Sequence, residues 1–155
     1  MLRIGYVALV EEIDREIVRA LAVDGRRSFT DLAEQVGLSV SAVHQRVRRL
    51  EHRGVIRGYA ARLDAEAVNL PLTAFIAITP IDPAAPDDYP DRLAPIDSIE
   101  SCYSVAGQES YLLKVRVATP TALEGLLREI RAAANVSTRT TVVLSTPFEN
   151  RPPAL

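Results

Sequence analysis

Apolar positions recur at helical spacing near the start of the chain. Val10, Ile13, Ile17 and Leu21 form one stripe, with Glu11, Glu12, Asp14, Arg15 and Glu16 between them, the pattern of an amphipathic helix. The stripe stops at "DGRRS", where Asp24-Gly25 signals a turn. Ser28, with Asp31 three residues on, is a weaker relative of a capping box. Leu32, Ala33 and Val36 then predict a short second helix that Gly37 can end in a left-handed conformation. Ser39 or Ser41 can cap a third helix. Its buried stripe is Val43, Val47 and Leu50, with Ser41, Gln45, Arg48 and His52 opposite. His44 and Arg49 flank the outer face, Arg46 sits at the edge of the stripe with its stem packed and its head emerging, and Gly54 ends the helix. Two short helices joined by a tight turn, after a longer first one, make a helix-turn-helix.

The period changes after Gly54. "GVIRGYAARLD" alternates, with Val55, Arg57, Tyr59, Ala61 and Leu63 on one phase, and predicts a strand or hairpin. "LTAFIAITP" predicts a strand ended by Pro80. The proline-rich "PAAPDDYPDRLAPID" predicts a loose or short helix. "SIESCYSVAG" and "SYLLKVRVA" predict two strands joined at Gly107-Gln108-Glu109. "TPTALEGLLREIRAAAN" predicts a helix with Leu123, Leu126, Leu127 and Ile130 apolar and Thr119 or Thr121 as cap, and "TRTTVVLST" a last strand. The order β-α-β-β-α-β is the ferredoxin-like unit. The expected fold class is therefore α+β. Residues 1–64 form a helix-turn-helix domain with a linker strand, and residues 65–155 form a C-terminal ferredoxin-like βαββαβ domain.

Charge adds a function to this outline. The chain carries net charge −2, yet residues 38–64 hold six arginines (Arg46, Arg48, Arg49, Arg53, Arg57, Arg62) against Glu51 and Asp64. Residues 1–64 have 11 arginines and 9 acids, whereas residues 65–155 have 7 bases and 11 acids. A basic segment on a neutral-to-acidic body suggests a localised polyanion site; a solvated helix face is the alternative. In a helix-turn-helix the early residues of the second helix reach base edges. That picks Ser41, Ala42, His44, Gln45 and Arg48, with Gln45 suited to adenine and Arg48 to guanine. Arg49, Arg53 and Arg57 suit phosphates.

Other chemistry is sparse. Cys102 is the only cysteine, so no internal disulfide can form, and its apolar strand predicts a small buried hydrophobe. One cysteine and two histidines (His44, His52) cannot build a structural zinc site within one chain, and no glycine-rich phosphate loop occurs. No metal or cofactor is expected. No apolar run approaches the length of a membrane span, and the start lacks a small-residue cleavage site. A cytoplasmic protein is expected. The second half has no histidine and no evident nucleophile–base pair, which argues against an enzyme.

The stretch from "EIDREIVRAL" to "RVRRLEHRGVIRGYAARLD", followed by "ESCYSVAGQESYLLKV" and "TRTTVVL", resembles the Lrp/AsnC (leucine-responsive/asparagine-synthetase regulator) family of transcription factors over nearly the whole chain. The resemblance implies double-stranded DNA as partner for the N-terminal domain. It also implies a C-terminal domain that binds an amino acid or related metabolite and assembles homodimers, often octamers. It points to Gly107, Gln108, Glu109 and Ser110 for the effector, with Thr138 and Thr140 on the last strand reaching it from a neighbouring subunit. The family commonly shows Gly-x-x-Asp where this chain has Gly107-Gln108-Glu109-Ser110. An architectural DNA-binding protein without an effector, and less so a small ferredoxin-like enzyme, remain the alternatives.

Overall fold

The computed structural model describes residues 11–155, so the predicted start of the first stripe at Val10 lies outside the described residues. Two compact units form: residues up to 62 together with 148–155, and residues 63–147. The tail from Phe148 gathers with the first unit.

The first unit is built on three helices, α1 (Glu12–Val23), α2 (Phe29–Val36) and α3 (Val40–His52). The caps are local and chemical. Ser28 Oγ accepts from the Asp31 amide and Ser39 Oγ from the Ala42 amide, so Ser39, not Ser41, caps α3. Gly37 ends α2 at φ 69°, where a Cβ would be strained. Ile17, Leu32, Val43 and Leu50 are fully buried and Val47 nearly so, which makes the stripes of the three helices one core.

Residues 54–64 form no strand, contrary to the alternation. Val55, Tyr59 and Leu63, all on the predicted phase, are 40%, 50% and 70% exposed. Period two marks a strand only where one phase is buried along its length, and here the predicted phase lies in solvent. Ile56, on the other phase, packs on the helical core, while Tyr59 turns back to donate to Glu51 at 3.0 Å.

The second unit follows the predicted order: β1 (Leu72–Pro80), α4 (Tyr89–Leu93), β2 (Ile99–Ser104), β3 (Tyr111–Val117), α5 (Pro120–Ala134) and β4 (Val136–Val142). Thr119, not Thr121, caps α5, accepting from the Ala122 amide at 3.1 Å. The sheet is antiparallel in the order β2-β3-β1-β4. Ala74, Ile76, Ile78, Leu113 and Val115 pack with Leu93, Leu126 and Ile130 of the helices, so one sheet face is core. The other face carries Phe75, Ala77, Leu112, Lys114 and Arg139, as the alternation requires. A register slip between Ile99 and Ser101 interrupts β2, and Glu100 there pairs with Arg116 at 2.7 Å and Lys114 at 3.3 Å.

Cys102 is exposed, against expectation. It stands opposite Leu113 on the core side, but β2 is an edge strand and this end of it is open. Partial desolvation alone pushes its thiol up.

Candidate DNA-binding and effector-binding sites

The outer face of α3 follows from its buried one. With Val43, Val47 and Leu50 in the core, Ser41, His44, Gln45, Arg48 and Arg49 must face solvent, and all five are exposed; Ala42 is half-buried. His44 does not project alone, because its ring stands edge-on to Phe29 of α2, with centroids 5.1 Å apart. Arg48, Arg49, His52 and Arg53, with Glu51 among them, line one open depression at the C-terminal end of α3. This is a convex helix face with donors and one basic rim, suited to a groove with phosphate edges.

The arginines are not equivalent. Arg46 was expected to send its head outward, but its guanidinium donates to Asp14 at 2.8 Å and Glu11 at 2.8 Å. These hydrogen bonds hold it firmly protonated. Arg49 also reaches Asp14, at 3.3 Å, while its side chain stays 50% exposed. Asp14 is the residue the sequence reading missed: it is 1% exposed. Its signal was available, since at helical spacing Asp14 falls beside Leu21 at the edge of the apolar stripe, where a carboxylate needs a partner.

The second candidate site lies around the connection from β2 to β3. Val105 and Ser110 close it through a backbone bond of 3.0 Å, and the Ser110 amide donates to the Ile78 carbonyl at 3.0 Å, tying the loop to the end of β1. The loop divides two depressions. Gly107, Glu109 and Ser110 border one of about 420 Å³ that also holds Asp87 and Tyr111. Gln108 and Glu109 border one of about 310 Å³ with Ser137, Thr138 and Arg139. Thr140 lines neither; it lies further along β4, opposite Ile76. Arg139, unremarked in the sequence, projects from β4 on the other face and ion-pairs with Glu109. That guanidinium holds the Glu109 carboxyl below its usual range. Among the described residues no group of three His, Cys, Asp or Glu could hold a metal, and no helix is long and apolar enough to cross a membrane.

Comparison with known proteins decides the relationship. The AsnC-type helix-turn-helix domain matches residues 11–51, and the Lrp/AsnC ligand binding domain matches residues 73–153. The chain belongs to the Lrp/AsnC family. Among its Lrp/AsnC relatives, the HTH-type transcriptional regulator LrpA of Mycobacterium tuberculosis is 58% identical over 142 residues, covering 92% of this chain and 95% of that protein. The leucine-responsive regulatory protein of Escherichia coli is 38% identical over 140 residues, covering 87% and 85%. The solved structure of the M. tuberculosis feast or famine regulatory protein complexed with L-methionine superposes with TM-score 0.92 at 57% identity, covering 94% of this chain and 99% of that one. A Neisseria meningitidis transcriptional regulator in complex with L-methionine superposes with TM-score 0.86 at 26% identity, covering 94% and 97%. This chain is thus a DNA-binding transcriptional regulator of the Lrp/AsnC family, and its relatives are named for regulation, not catalysis.

Proposed function

We propose that the chain reads double-stranded DNA with α3 and that an amino acid modulates this binding. Ser41, Ala42, His44, Gln45 and Arg48 face base edges, and Arg49 and Arg53 face phosphates. The observation that carries the reading is the division of α3 into a buried stripe and an exposed face of hydroxyl, imidazole, amide and guanidinium groups. DNA recognition is assigned to residues 1–64, and effector binding and assembly to residues 65–155. Two copies related by two-fold symmetry would present α3 to successive half-sites about 34 Å apart, so the working unit is a homodimer or a higher assembly such as an octamer. A cytoplasmic location follows from this DNA-binding role.

The effector reading is supported by two relatives solved with L-methionine and by the chemistry at 107–110. Glu109 and Arg139 present one charge of each sign at a depression of about 310 Å³, complementary to a zwitterion. Gly107 has open space where a side chain would begin, which lets ligand approach the backbone closely. Thr138 also borders this depression, with its side chain on the opposite sheet face from Arg139, and Thr140 is assigned to a neighbouring copy's ligand. Titration of the twenty amino acids by calorimetry, with a cognate DNA fragment binding in parallel, tests both parts. Amino-acid binding that leaves DNA occupancy unchanged would separate the effector from regulation. Failure of every amino acid would leave the architectural DNA-binding role, since DNA recognition stands on α3 alone.

A further inference from the structure

Asp14 is out of place on simple electrostatic grounds. It is a 1%-exposed carboxylate in a unit whose partner is a polyanion, so its charge opposes binding. A buried ion pair is also weak evidence for stability, because apolar residues of similar volume often do as well. Both of its arginine partners belong to α3, the DNA-reading helix. Oδ1 accepts from Arg46 and Oδ2 from Arg49. Arg46 shares one terminal nitrogen between Asp14 and Glu11, at 2.8 Å from each, and only 24% of its side chain is exposed. Arg49 gives Asp14 one terminal nitrogen and keeps half its side chain in solvent, beside Arg48, His52 and Arg53. A guanidinium holds five donors in a rigid fork. Arg49 can therefore grip Asp14 with one and present others outward, whereas a lysine ammonium cannot span both.

We propose that Asp14 is a positioning residue for DNA contact: it fixes the Arg49 fork so that the outward donors meet a phosphate already oriented. The gain is preorganisation, since a long side chain held before binding surrenders less rotamer freedom when it binds. The inference rests on Arg49 being a phosphate contact, as proposed above. Arg46 takes the other half of the device, fixing α3 against α1.

The test uses the full chain, a cognate DNA fragment and an unrelated one. Asp14→Asn keeps the shape and removes the charge, and the two possible effects have opposite signs. Loss of an unfavourable charge tightens DNA binding. Loss of positioning weakens it on both fragments alike, by about 3- to 10-fold, and lowers the slope of log affinity against log salt by about 1. The expected result is the second, together with an Asp14→Asn/Arg49→Ala double variant no weaker than Arg49→Ala. Tighter binding by Asp14→Asn, or a further loss in the Arg49→Ala background, overturns the inference. Wild-type binding by Arg49→Ala instead overturns the assignment of Arg49 to phosphate. Arg49→Lys keeps both the charge and Asp14, so it decides the matter if Asp14→Asn fails to fold. It is expected to weaken binding, and wild-type affinity would show that the held fork is immaterial.

Discussion

The Tyr111 hydroxyl on β3 donates to Asp87 at 2.7 Å, in the segment just before α4. The carboxylate acceptor, with burial behind it, pushes the phenol up to about 12. In the unfolded chain the phenol ionises near 10. Below about pH 10 both states keep the proton, and the contribution to stability is complete. Between about 10 and 12 only the folded state keeps it, so stability falls as pH rises through that window. Urea unfolding should show wild type losing its advantage over Tyr111→Phe across pH 10–12, from a starting difference of about 1 kcal/mol. A difference that does not change with pH would contradict this account.

Gly37 holds φ 69° at the end of α2, with nothing near the position of a Cβ. The cost of a side chain there is therefore conformational, not steric crowding. Gly37→Ala should destabilise by about 1 kcal/mol, and Gly37→Asn by less, because asparagine tolerates the left-handed region. Thermal unfolding of the three proteins checks the order.

Two neighbours on α3 should separate stability from recognition. Leu50 is fully buried, and Leu50→Ala should cost about 2–5 kcal/mol of unfolding free energy. Arg48 is exposed, and Arg48→Ala should move stability by less than about 0.5 kcal/mol. It should still cost about 1–3 kcal/mol of discrimination at one base pair. Denaturation and a binding-site selection on the two variants give the comparison. Equal stability losses would show that the faces of α3 are misassigned.

Arg139→Ala and Glu109→Gln remove opposite ends of the pair at the proposed effector depression. Each should weaken L-methionine binding by about 10-fold, since each removes one charge-assisted contact to the zwitterion. Gly107→Val should weaken it further by denying the ligand the loop backbone. Calorimetry that finds all three unchanged would place the effector elsewhere.

The regular parts of this molecule were legible because burial and periodicity coincide in them. Val43, Val47 and Leu50 point inward by spacing alone, and "LTAFIAITP" became β1 from end to end. Where the two part company, the sequence misled. Residues 55–63 alternate with no sheet to receive them, and Cys102 sits on the core side of an edge strand at its open end. The sites divide the same way. The outer face of α3 follows from its own helix, so one element suffices to find it. Arg139 meets Glu109 across 30 residues and Asp14 meets Arg46 across 32; no local pattern announces either pairing.

The slip in β2 has an evolutionary side. Ile99 faces Val115, and Cys102, three residues on, faces Leu113, so Glu100 is surplus to the pairing. A chain lacking Glu100 would keep Ser101, Cys102 and Tyr103 on their present sides, because the deletion closes the slip and leaves the pairing beyond it unchanged. Length can therefore drift by one residue at this point without exchanging the inside and outside of the strand. What stands against the deletion is local: a carboxylate that pairs with both Lys114 and Arg116 would go with it.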